Sequence, residues 1–234
     1  MERNTIVRVE NLTKKYGTTV ALNNISFDLY QGRIVGLLGP NGCGKTTLIK
    51  LLVNLLNNYQ GKITINNYAP GPQTKALISY LPDRNFLPDN WSSKMAIDFF
   101  SDFFKDFEKN KAYKLLDKLA IHPLMPFKEM SKGTKEKLQL ILVLSRKALL
   151  YLFDEPIAGV DPAARDLIFE LILENYYKEA TVIISTHLVY DVERILDDVI
   201  FLNKGIISRF GDVNTIRENT NKSIELLFKE DFRC

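Results

Sequence analysis

The hydrophobic pattern of this chain changes period several times, and each change marks an element. Thr5 to Glu10, built on Ile6, Val7 and Val9, and Ile25-Ser26-Phe27-Asp28-Leu29 alternate apolar with polar residues, as antiparallel strands with one wet face do. Gly32 turns the chain into Ile34-Val35-Gly36-Leu37-Leu38, the apolar run of a buried strand. The helix that follows is expected to reach Leu56, where Asn57-Asn58-Tyr59-Gln60-Gly61 breaks it. Lys62 to Asn66 reads as a short strand, Pro70-Gly71-Pro72 as a loop, and Ala76 to Leu81 as a core strand ended by Pro82.

From Ser92 to Lys147 the period is helical almost throughout. Ser92 and Ser93 cap a first helix whose apolar face runs on through Phe103, Phe104 and Phe107. Asn110 to Ile121 is a second helix, stopped by His122-Pro123, and Ser131 opens a third that carries Leu138, Ile141, Leu142 and Leu144. This stretch reads as a helical lobe inserted into the core. Leu149 to Phe153 and Thr181 to Ser185 are then buried strands, with a helix from Asp161-Pro162 towards Lys178 between them. A helix from Leu188, strands at Asp198 to Asn203 and Ile206 to Phe210, and a polar remainder holding the run Ile224 to Phe228 complete the chain.

The chemistry sits where apolar strands end. After Leu38 comes Gly39-Pro40-Asn41-Gly42-Cys43-Gly44-Lys45-Thr46-Thr47, which fills every specified position of G-x-x-x-x-G-K-[ST] between a strand and a helix. Glycines let the backbone wrap a phosphate chain with its N–H groups inward, and the helix N-terminus adds positive potential. Lys45 can reach the β- and γ-phosphates, and the Thr46 hydroxyl can ligate Mg²⁺. This is a nucleoside triphosphate site. The strand from Leu149 ends in Asp154-Glu155, at the edge where such sheets bind ligands. Asp154 suits the hydration shell of Mg²⁺, and Glu155 suits the polarisation of a water in line with the γ-phosphate. His187, one of two histidines, ends the next core strand and brings a donor for the γ-phosphate.

Composition narrows the setting. The 234 residues are 46% hydrophobic and 25% charged, ample for one large domain. A net charge of +3 with no lysine or arginine block gives no basis for a nucleic-acid partner. Two cysteines, Cys43 inside the loop and Cys234 at the last position, make no disulfide framework and fit a reducing cytosol. Met1-Glu2-Arg3-Asn4-Thr5 lacks the apolar run of a signal peptide. No stretch approaches the roughly eighteen apolar residues of a membrane span, so a membrane role is expected to come through a partner.

With these residues in view the chain resembles the ATP-binding cassette family over nearly its whole length. The phosphate loop matches Walker A, and Leu149 to Glu155 matches Walker B with its catalytic glutamate. Gly159-Val160-Asp161-Pro162 looks like the D-loop and His187 like the switch histidine. Tyr16 stands where the family stacks an aromatic on adenine, and Val20 where an apolar neighbour of the base is expected. Met130-Ser131-Lys132-Gly133-Thr134 meets the Leu-Ser-Gly-Gly-Gln signature only at Ser131 and Gly133, with Lys132 and Thr134 departing from it. Asp83 replaces the usual glutamine of the Q-loop, and its oxygen is expected to help hold Mg²⁺ beside Thr46 and Asp154.

The resemblance implies an α/β fold: a P-loop NTPase core with a parallel sheet, an N-terminal antiparallel β layer and an α-helical lobe inserted over about 86–146. Residues 1–234 would form a single nucleotide-binding domain. It implies an Mg-dependent ATPase whose cofactors are ATP and Mg²⁺, and a head-to-tail homo- or heterodimer in which the Ser131 helix of one subunit meets the ATP of the other. The partners implied are integral membrane permease subunits, with the ATPase cytoplasmic and peripheral on the inner face of the cell membrane. Ser131-Lys132-Gly133-Thr134-Lys135 looks like the signature of bacterial exporter-type ATPases. Phe86, Leu87 and Trp91 follow the Q-loop position, where the family receives a permease helix. The alternative is a soluble accessory ATPase of the same family, not dedicated to transport.

Overall fold

The computed structural model describes residues 4–232. Cys234 and the three residues that begin the chain lie outside them. Strands β1 (Thr5–Tyr16), β2 (Thr19–Tyr30) and β4 (Gln60–Ile65) form an antiparallel sheet of order β2-β1-β4. A second sheet is built from β3 (Ile34–Leu38), β5 (Ile78–Leu81), β6 (Leu150–Asp154), β7 (Thr181–Thr186), β8 (Asp198–Asn203) and β9 (Ile206–Asp212). Its order is β5-β6-β7-β3-β8-β9, parallel except for β9, which returns antiparallel along β8.

Every residue of β3, β6 and β7 is buried, which accounts for their near-continuous apolar sequence. Alternate side chains serve opposite layers. Val35 and Leu37 pack with the antiparallel sheet and with α1 (Lys45–Leu52). Ile34 and Leu38 join the other layer, with α5 (Lys132–Leu144) and α6 (Pro162–Asn175). Helices α3 (Ser93–Phe103) and α4 (Lys109–Lys118) pack on each other and on α5. Arg146, almost wholly buried, ties them to the sheet edge. Its guanidinium donates to the carbonyls of Ala76 and Ile78 and to Asp106, and lies 3.8 Å from the centre of the Phe104 ring. Among the described residues no helix is long and apolar enough to cross a membrane.

Several expected boundaries move, each for a local reason. The first two strands run on to Tyr16 and back from Thr19, because register shifts near Asn11 and Asn24, both at positive φ, break the alternation without breaking the ladder. Helix α1 stops at Leu52 rather than Leu56, with Asn54 left-handed just beyond it. Pro72 does not lie in a loop but opens α2 (Pro72–Leu77), where Thr74 Oγ1 accepts from the Gly71 amide at 2.9 Å, so β5 begins only at Ile78. The helix after Leu188 shrinks to α7 (Val189–Val192) and a 3-10 turn. The polar C-terminal stretch folds as α8 (Val213–Thr220) and α9 (Ile224–Phe232), where Ile224 and Leu227 are buried and Phe228 packs on Phe201.

Candidate functional site

Residues 39–44 join β3 to α1, whose first turn carries Lys45, Thr46 and Thr47, and the loop's shape depends on its neighbours. Gly44 has φ +115, and a Cβ there would lie 2.6 Å from the Ala21 carbonyl of β2, so only glycine lets the hairpin come this close. Cys43 is buried, and burial pushes its thiol pKa up, so it acts as packing. Lys45 turns back over the loop. Its Nζ donates to the carbonyls of Gly39 at 2.7 Å and Pro40 at 3.2 Å, and it lies 3.1 Å from Glu155 Oε1. Thr46 Oγ1 donates to Asp154 Oδ1 at 3.2 Å, while Asn41 and Gly42 remain exposed.

The carboxylates arrive on β6, which pairs with β7 so that Asp154 stands beside Ser185. Ser185 Oγ donates to Asp154 Oδ1 at 2.6 Å and accepts from the Glu155 amide at 3.2 Å, so one hydroxyl orients both acidic residues. Glu155 leaves the strand at φ +51, and its Oε2 meets His187 Nδ1 at 3.1 Å. Lys45, Glu155 and His187 therefore form one chain of contacts across three strand ends. Asp154 is wholly buried, and its Oδ2 has no partner among the described residues. Burial raises its pKa, against hydrogen bonds from Ser185 and Thr46, and the charges of Asp83 and Glu155 raise it further. A buried, unpartnered carboxylate oxygen beside a hydroxyl fits a divalent cation, which would reverse that shift.

The remaining residues lie apart from this cluster. Tyr16 and Val20 are exposed near the tip of the β1–β2 hairpin, with the Lys14 ammonium 5.1 Å from the Tyr16 ring centre. Asp83 is exposed and reaches Asp154 only through its charge. Ser131 caps α5, accepting from the Thr134 amide at 3.2 Å, and Ser131, Lys132 and Gly133 are exposed. Lys132 folds towards the turn before α6, donating to Gly159 O at 3.2 Å, and lines a cleft of about 320 Å³ with Asp83 and Glu155. Asp161 is exposed and accepts from the Ala164 amide through its carbonyl.

The family model described as ABC transporter matches residues 22–158. The chain belongs to the ABC transporter family. An uncharacterized ABC transporter ATP-binding protein of Methanocaldococcus jannaschii is 32% identical over 90% of this chain and 79% of its own length. The ABC transporter ATP-binding protein YtrB of Bacillus subtilis is 27% identical over 97% of this chain and 78% of its own. A solved structure of the ATP-binding subunit of an ABC transporter superposes with a TM-score of 0.87 at 27% identity, covering 97% of this chain and 99% of that one.

This ABC subunit binds ATP, hydrolyses it and serves a transporter; a role outside transport is not favoured. The cluster's chemistry matches that activity: a fixed cation, a base candidate and an acceptor for a metal converge where strands end. Sequence reading missed Ser185. Its signal was a pair of fully buried small polar residues, Ser185 and Thr186, closing an otherwise largely apolar strand. It also missed Gln139, buried on α5, which holds the segment after Asp83 by accepting from the Phe86 amide at 2.9 Å and donating to Asn85 at 2.8 Å.

Proposed function

We propose that Glu155 is the general base for ATP hydrolysis, taking a proton from the water that attacks the γ-phosphate. The observation that carries this is the Lys45–Glu155–His187 chain, which holds the carboxylate between a phosphate-binding ammonium and a switch imidazole. Lys45 and the loop of residues 39–47, through the backbone N–H groups from Asn41 onward, bind the phosphates, and His187 orients the γ-phosphate. Thr46 and Asp154 would hold Mg²⁺, with Asp83 helping, and the ion would neutralise charge on the phosphates. Tyr16 stacks on adenine, with Val20 beside it.

Two such chains sandwich ATP, the Ser131 helix and the Asp161 turn of each facing the partner's nucleotide, and residues 1–234 act as one domain with a helical lobe over about 86–146. The same reading puts a membrane permease against the groove of about 460 Å³ lined by Val53, Leu55, Phe86, Phe100 and Phe103. The subunit then works at the inner face of the membrane. Leu87 is a core residue, and Trp91 packs on Phe99 at 5.0 Å between ring centres, so Phe86 and the α3 aromatics carry the docking surface.

Glu155→Gln tests the base directly. Hydrolysis should fall by roughly 10²–10⁴-fold while ATP binding survives and ATP-bound dimers accumulate. Unchanged turnover would remove Glu155 from the role.

A further inference from the structure

Arg165, in the first turn of α6, holds two places at once. Its Nε donates to the Val160 carbonyl at 3.2 Å, in the turn that precedes the helix. Its Nη1 donates to Asp191 at 2.7 Å, four residues beyond His187, and both side chains of this pair are 22% exposed. A planar guanidinium can serve both partners, which a lysine ammonium on its flexible stem cannot reproduce. Beyond Asp191 the segment is fixed again. Glu193 accepts from Arg217 of α8 and from the amides of Ile224 and Glu225 of α9. Residues 188–195 are thus moored to the C-terminal helices at one end and to Arg165 at the other. The neighbouring pair, Asp166 with Arg194, links α6 to the same segment but is 67% and 62% exposed. It supplies an internal control.

We propose that Arg165 is a positioning residue for hydrolysis, holding the Gly159–Asp161 turn and the His187 segment in one register. This rests on the roles given above to His187 and to that turn. In the two-subunit arrangement, displacement of the turn by the partner is passed through the guanidinium to α7 and so to His187.

The test measures kcat, KM for ATP and Tm on the purified full chain. Arg165→Gln should lower kcat about tenfold or more with KM changed less than about twofold, as a loss of alignment does. Arg165→Lys should keep the parent's Tm yet leave kcat low. Asp191→Asn should reproduce the loss, and the double variant should be no slower than the worse single variant, since one unit has been broken. Asp166→Asn should keep the parent's kcat. The proposal is overturned by a parental kcat in Arg165→Gln, by a double variant showing the product of both losses, or by an equal loss in Asp166→Asn. Should Arg165→Gln fail to fold, Asp191→Asn carries the test, and a parental kcat there overturns it. Glu155→Gln run in parallel separates the two ideas, because its failure would strike the base assignment and not the Arg165 contact.

Discussion

Helices α1 and α5 both begin at motifs marked for phosphate, yet they are built in opposite ways. At α1 the N-cap is Gly44, with no side-chain cap, so the first-turn amides carry no competing acceptor from the cap residue. Lys45 is buried and pinned by two carbonyls and by Glu155. At α5 the first turn is already satisfied by Ser131, and its residues face solvent. Lys132 is spent on the Gly159 carbonyl. The difference teaches that α1 keeps its first turn uncapped beside a buried ammonium, whereas α5 closes its own first turn and leaves Ser131, Lys132 and Gly133 in solvent.

The strongest way to break this comparison uses one substitution at each end. Lys45→Ala strips a buried charge of its partner and should weaken ATP binding by the single subunit about 30-fold, or about 2 kcal/mol. Ser131→Arg should leave that binding at the parent's value and abolish ATP-driven dimerisation. Lys132→Gly, which loses only an exposed contact, should change turnover less than about twofold. Equilibrium titration with a fluorescent ATP analogue, size-exclusion chromatography with ATP and a steady-state ATPase assay read the three in turn. Equal loss of single-subunit binding at Lys45 and Ser131 would erase the distinction.

A second test asks to which region Asp83 belongs, since it lines the cleft between Lys132 and Glu155. As a helper of Asp154 it should show itself in metal dependence. Asp83→Ala should raise the Mg²⁺ concentration for half-maximal hydrolysis about tenfold, and Asp83→Gln should recover much of the loss. The parent's magnesium curve in Asp83→Ala would leave Asp83 as a turn residue only.

The smallest effect sharpens the contrast by leaving both helices alone. Asp212 accepts from the Thr215 amide and pairs with Arg33 at 2.7 Å, which together hold its pKa at about 2. A carboxyl depressed from its ordinary 3.8 stabilises the fold above about pH 4 and loses that contribution as pH falls towards 2. Because the side chain is about one-third exposed, the loss should stay below about 1 kcal/mol. Thermal melts between pH 2 and 5 should therefore fall less steeply in Asp212→Asn, with hydrolysis at pH 7 unchanged. Parallel acid curves for parent and variant would refute the pairing.

By itself the sequence determined the features that depend on neighbours along the chain. The loop from Gly39 to Thr47, the buried strand ending in Asp154-Glu155 and the cap at Ser131 each follow from a dozen adjacent residues, because glycine freedom, strand burial and helix capping are local. Its errors were local too: bulges at Asn11 and Asn24 hid half of each N-terminal strand, and α9 looked polar because only one narrow face is buried. Tertiary structure alone decided which side chains meet. Nothing near Lys45 in sequence announces Glu155, and nothing near Asp154 announces Ser185. Parallel strands bring such residues together only after long crossovers, and the register of β6 on β7 selects the partner. Lys132 shows the same limit from the other side, since its spacing in the motif says nothing of the Gly159 carbonyl that holds it. Long-range pairing depends on how layers pack, and that information is spread over the whole core.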